Sequence, residues 1–127
     1  MDNKIVADEW FNYAERDLES AKFLLKMYPV PIEIICYHCE QSAEKYLKGW
    51  LIFKGMRADK THDLGLLNRK CVAIDSDFKT IEDECLELVP YGVHVRYPYE
   101  LDVIEEDMNT AIICAQEIQK FVMSKVM

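Results

Sequence analysis

Tyr37-His38-Cys39-Glu40-Gln41-Ser42-Ala43-Glu44-Lys45-Tyr46-Leu47-Lys48 reads as the middle of a long amphipathic helix. With Ile35 before it and Trp50 and Phe53 after it, Cys39, Ala43, Tyr46 and Leu47 recur at three- and four-residue steps, the period of one helix face. The helix is expected to run from about Pro31, whose missing N–H costs nothing in a first turn, to Lys54. Gly55 is suited to ending it in a left-handed conformation. Gln41, Glu44, Lys45 and Lys48 form a polar row, with Glu44 and Lys48 an i,i+4 pair in the favourable order. Such a row is ordinarily a solvated face, and its alternative use is contact with a partner. Small Ala43 and Gly49, and an apolar run Trp50-Leu51-Ile52-Phe53 too long for one inward stripe, point to a second helix from another copy and so to a homodimer.

The pattern extends on both sides. Upstream, Trp10, Tyr13, Ala14, Leu18, Ala21, Leu24, Leu25 and Tyr28 make an apolar stripe, and Pro29-Val30-Pro31 stops it. Downstream, Leu64, Leu67, Cys71 and Ile74 mark a shorter third helix, while Phe78, Ile81, Cys85 and Leu88 mark a fourth that Ser76 or Asp77 is placed to cap. Pro90, Gly92 and Pro98 make Pro90 to Leu101 an irregular crossover. Asp102 then caps a last helix with Glu105 three residues on, and Ile104, Met108, Ala111, Ile112, Ala115, Ile118 and Val122 face inward. No β-alternation, internal repeat or low-complexity linker appears in the sequence. The expected fold is all-α, an up-and-down antiparallel helical bundle of four main helices plus a short fifth, with residues 1–127 as a single domain.

Composition narrows the function classes. The chain carries a formal net charge of -8, a field that repels phosphate backbones and disfavours nonspecific DNA binding, so any RNA contact must be local. Apolar runs fall far short of the ~20 residues of a membrane span. Met1-Asp2-Asn3-Lys4 does not open a signal peptide, and a cytoplasmic location is expected. The five cysteines, odd in number and set among apolar neighbours, read as reduced, buried thiols. Cys36, His38 and Cys39 do not converge on one helix face, and no second ligand pair exists, so neither a metal nor a cofactor is expected.

Alternating helix direction puts the connection after the second helix and the connection before the last one at the same end of the bundle, where Arg57, His62, His94, Arg96 and Tyr97 gather. Two arginines and two histidines there make a cationic pocket for phosphate, with Arg giving two-point contacts and His moving protons near neutral pH. The same set approaches the needs of a metal-independent ribonuclease: a proton acceptor, a proton donor and a fixed cation. The plainer reading is structural, with Thr61-His62-Asp63 capping a helix and Arg96 pairing with Glu100 or Asp102.

Taken in order, the stretch Tyr37 to Lys48, Thr61-His62-Asp63-Leu64 and Arg96-Tyr97-Pro98 resemble the HEPN family of small helical prokaryotic domains. The resemblance implies the bundle, a site near a dimer interface, and often a small separate nucleotidyltransferase as partner in a two-gene toxin and antitoxin system. It also implies, for ribonuclease members, an Arg followed four to six residues later by His near the position of Arg96. No histidine follows Arg96; Arg57 and His62 have the spacing but precede the third helix. The chain lacks a glycine-rich phosphate loop or paired catalytic Asp motif and is not expected to transfer nucleotides itself. Three readings follow. The first is a domain binding a nucleotide, RNA or a nucleotidyltransferase through His62, His94, Arg96 and Tyr97, with Tyr97 or Tyr99 open to modification. The second is an RNA endonuclease toxin using Arg96 with His62 or Arg57. The third is a structural oligomerisation module without ligand.

Overall fold

A computed structural model of the chain describes residues 2–57, 60–92 and 102–127. Five α-helices account for most of them: α1 (Asn3–Leu24), α2 (Ile32–Phe53), α3 (Leu64–Ile74), α4 (Glu82–Leu88) and α5 (Glu105–Ser124). A 3-10 segment, Ser76–Ile81, runs directly into α4, and a 3-10 turn, Val89–Tyr91, follows it. No strand is present among the described residues.

Helix α1 starts seven residues before Trp10 because Asp2 caps it, its side chain accepting the Lys4 N–H at 2.8 Å. Its buried residues, Ala7, Phe11, Ala14, Leu18 and Ala21, alternate steps of four and three. That stripe turns Tyr13, Leu25 and Tyr28 outward, so three residues expected inside are exposed. Its alanines admit α2 closely: Ser42 donates to the Ala14 carbonyl at 2.8 Å, and a Cβ on Gly49 would lie 2.6 Å from the Phe11 ring. Gly49 and Ala43 therefore face the protein's own interior. Trp50, Leu51 and Ile52 are also buried within the chain, so the apolar run of α2 is no argument for a second copy.

Helix α2 has Pro31 at its N-cap, one position before the first turn, with the Pro31 carbonyl accepting from Ile35 N–H. Its other end closes as expected. Gly55 has φ of 87°, Gly55 N–H donates to Ile52 and Met56 N–H to Leu51, the double bond pattern of a Schellman cap. Asp75, rather than Ser76 or Asp77, caps the fourth helical segment by accepting from Asp77 N–H at 3.0 Å. At α5 the Ile104 N–H donates back to Asp107 at 3.1 Å, so the helix begins after Ile104 and not at Asp102, and Ile104 is 53% exposed. Ile74 is likewise exposed at the end of α3.

The direction of each element follows from its partners. Asp107 acts on Cys36, Gln119 donates to Tyr46 at 2.8 Å, and Phe121 meets Phe78 edge-on where Phe78 packs on Trp50. Thus α5 runs with α2, while residues 76–91 run against both, from the level of Trp50 to that of Cys36. Helices α1, α2, the 76–88 segment and α5 form the up-and-down bundle, and α3 is the short fifth element. Lys125 ties the end of α5 to the α3–α4 turn through Asp75 at 2.9 Å and Asp77 at 2.6 Å. All five cysteines are free and buried, and burial pushes the thiols of Cys36, Cys39 and Cys71 up to about 12.

Gly49→Ala forces a methyl into the Phe11 ring and is expected to destabilise the protein by about 1–3 kcal/mol, read as a lower urea midpoint with an unchanged m-value.

Candidate functional site

Of the expected polar row on α2, Glu44 and Lys48 are buried while Gln41 and Lys45 are half-buried. Cys36, Glu40, Glu44, Lys48 and Ile52 follow one another at four-residue steps, and all five are buried. Glu44 accepts from Lys48 Nζ at 3.4 Å, and Lys48 in turn lies 5.8 Å from the centre of the Trp10 ring of α1. On the same carboxylate, His62 Nδ1 stands 3.2 Å from Oε1 and 3.3 Å from Oε2. The His62 side chain remains 70% exposed, so it joins a buried carboxylate to solvent.

One turn earlier, Glu40 is 0% exposed. Its Oε1 accepts from Gln41 Nε2 at 2.8 Å, and its Oε2 is buried without a hydrogen-bond partner among the described residues. A Cβ on Gly92 would fall 2.8 Å from that oxygen, so only glycine lets the backbone lie on the carboxyl group. Burial, reinforced by the neighbouring Glu44 and opposed by Gln41, Lys48 and Lys45, pushes the Glu40 carboxyl up to about 8. Glu40 therefore holds a proton at neutral pH, and the row carries one carboxylate set against Lys48 and His62.

This geometry revises how the two connections meet. The segment after α2 leaves at Lys54 but climbs back to Glu44, then α3 descends until Asp75 feels Lys54. The crossover before α5 starts from Gly92 at Glu40. Among the described residues, His62 of the first connection and Gly92, just before the second, stand one turn apart on the flank of α2, not beyond its C-terminal end. His62 is there. Arg57 is exposed in the same connection. His94, Arg96, Tyr97 and Tyr99 lie outside the described residues, as do residues 93–101 of the expected crossover. Asp63, as expected, caps α3 by accepting from Leu66 N–H at 3.3 Å.

Glu40, Glu44 and Lys48 are the site residues that pattern reading missed. The signal was present: their row begins at Cys36 and ends at Ile52, both apolar, and a row with apolar ends is seldom a solvated one. A half-buried ionic group sits between α1 and α2, where His38 Nδ1 lies 2.9 Å from Asp17 and Lys45 also bonds that carboxylate. Burial alone would raise Asp17, but the hydrogen bonds from His38 and Lys45 outweigh it and hold the carboxyl below its usual range. Among the described residues no three His, Cys, Asp or Glu side chains converge as metal ligands, and no helix is long and apolar enough to cross a membrane.

The HEPN domain model matches residues 7–126. ST0689, an archaeal HEPN homologue of known crystal structure, shares 26% identity, with a TM-score of 0.75 over 95% of this chain and 98% of its own. TT1696 from Thermus thermophilus has the same fold at 23% identity, with a TM-score of 0.78 over 98% of this chain and 99% of its own. No curated protein matches the sequence. The chain belongs to the HEPN family.

The Glu40 proton makes stability pH-dependent. Below about 4.5 the carboxyl is protonated in both folded and unfolded states; between 4.5 and about 8 the unfolded chain releases the proton while the folded one keeps it, so stability falls as pH rises. Above 8 both states are ionised and the full cost, on the order of a few kcal/mol, is in place. Glu40→Gln is expected to flatten this slope, and the difference in unfolding midpoint between the two proteins, measured from pH 5 to pH 9, is expected to widen with pH.

Proposed function

We propose that this HEPN chain is a cytoplasmic single-domain binding module whose site lies where the two connections meet over Glu40 and Glu44, and whose ligand is a nucleotide or RNA phosphate. The observation that carries this reading is the pair of contacts one turn apart on α2: His62 on Glu44, and Gly92 on Glu40. They bring the connection bearing Arg57 and His62 to the start of the segment whose next basic and aromatic residues are His94, Arg96 and Tyr97. With Glu40 protonated, the floor of the site does not repel an anion, although the molecule as a whole is acidic. Arg57 and Arg96 supply planar two-point donors, His62 a third donor, and Tyr97 a stacking surface.

The protein works in this reading as a homodimer, or beside a small nucleotidyltransferase in a toxin and antitoxin pair that modifies Tyr97 or Tyr99. Phe23, Met27 and Tyr28, exposed around the α1–α2 turn, support an apolar surface for self-association. The His62–Glu44 pair favours a second reading, cleavage of RNA without metal: Glu44 orients the imidazole, which takes the 2′-hydroxyl proton, and Arg96 holds the phosphate charge.

Binding of a fluorescently labelled single-stranded RNA and of labelled ATP separates these readings. His62→Ala combined with Arg96→Ala is expected to weaken binding by about tenfold or more, with the helical fold retained because Lys48 still pairs with Glu44. Equal binding by this variant and the parent sinks the site. RNA cleavage in EDTA that disappears in both single variants establishes the second reading.

A further inference from the structure

We infer that the open cleft between the C-terminal half of α1 and the first two turns of α2 binds a phosphate monoester that carries a flat ring, held by Arg16, Lys26 and His38. The cleft measures about 790 Å³, within the ~300–1,000 Å³ of small-molecule sites. It lies on the α1 side of α2, whereas His62 stands on Glu44 on the side of the connections.

His38 is the specific element. Its Nδ1 lies 2.9 Å from Asp17, whose carboxylate Lys45 also bonds. Against burial, the hydrogen bonds from His38 and Lys45 hold Asp17 below its usual range, so it is ionised and Lys45 offsets its charge. Nδ1 therefore donates to Asp17, and Nε2, with no hydrogen-bond partner among the described residues, is left for a ligand. The His38 side chain is 28% exposed and lines the cleft, so a ligand there reaches it. Nε2 accepts when the ring is neutral and donates when it is charged. A phosphate monoester, which exchanges its second proton near a pH of about 6, bonds the imidazole in both forms; a sulfate ester has no proton to give and bonds only the charged ring.

The cations around it are unmatched. Arg16 and Lys26 are exposed, and neither meets a carboxylate among the described residues: Arg16 lies 5.1 Å from the centre of the Tyr13 ring, Lys26 5.7 Å from that of Phe23. In a chain with 23 acidic and 15 basic residues, two cations left on rings beside one cleft are available to an anion. Glu19, the carboxylate that lines the cleft, is itself paired with Lys22 at 3.5 Å. Ser20 adds a hydroxyl on the Arg16 face of α1. These donors come from several directions, which suits the three oxygens of a phosphate better than the two of a carboxylate. Phe23 is 69% exposed and gives a flat apolar surface, with Lys26 putting charge beside it.

The chain has three histidines, so their ring Cε1–H signals can be followed one by one by NMR while the protein is titrated with phenyl phosphate and with AMP. Phenyl sulfate and inorganic phosphate are the controls. Phenyl phosphate or AMP is expected to move the His38 signal saturably at millimolar concentration, with both controls weaker by about tenfold; the tighter of the two tells whether the ring is a phenol or a base. Arg16→Gln is expected to weaken that ligand by about tenfold, with the unfolding midpoint little changed because Arg16 is exposed. A His38 signal unmoved by both esters overturns the proposal, as does phenyl sulfate binding as tightly as phenyl phosphate. A shift at His62 in place of His38 assigns the ligand to the other site and overturns it too. So does a shift that comes with a changed molar mass in light scattering, which makes the cleft a contact between copies.

Discussion

Two carboxyl groups one helical turn apart, Glu40 and Glu44, are both inside the protein, and the rest of the site follows from how they are accommodated. Burying two like charges at this spacing is prohibitive unless each is neutralised. The chain treats them differently. Glu44 takes Lys48 from its own helix and His62 from the next connection, and Lys48 is roofed by Trp10. Glu40 keeps its proton, bonds Gln41, and is closed over by the bare backbone of Gly92. Each solution reaches into a different part of the fold. The connection after α2 has to climb back along the helix, residue 92 has no room for a side chain, and α1 has to bring an indole to the ammonium.

The apolar core sets the limits of that arrangement. Ala7, Ala14 and Ala21 with Gly49 draw α1 onto α2, and Trp50, Phe78 and Phe121 join α2, the 76–88 segment and α5 near the opposite end of the bundle from Cys36. Dense, featureless packing of this kind supplies most of the stability. It leaves the flank of α2 as the place where polar groups are held by connections instead of by helices, and connections are where a fold can offer backbone and basic side chains to a ligand.

Helical periodicity made the architecture legible from the sequence. The stripe Phe78, Ile81, Cys85 and Leu88 is buried as read, Gly55 ends α2 as read, and α3 has its Asp63 cap. The errors share a physical origin. Reading α1 from its large side chains put Tyr13 and Tyr28 inside, whereas its interior is built on alanines, whose weak hydropathy hides a close helix contact. Reading Glu44 and Lys48 by polarity put them in water, because a one-dimensional pattern cannot show that a distant segment folds over a polar row. Likewise the Trp50-Leu51-Ile52 run seemed to need a second copy only because α3 and the 76–88 segment, which cover it, are remote in sequence. Of the candidate site, pattern reading named His62, on the exposed side, and passed over Glu40 and Glu44 beneath it.

Protonation and binding are coupled through Gly92 in the proposed reading. An anion held by the basic residues of the two connections makes ionisation of the nearby Glu40 less favourable still, and by reciprocity a protonated Glu40 favours the anion. The coupling needs no moving part, because Glu40 has no other partner for Oε2 among the described residues and its charge cannot be screened by water it does not touch. Acidification therefore neutralises the floor of the site. That makes local charge at this flank nearly independent of the net charge of -8 carried by the chain as a whole.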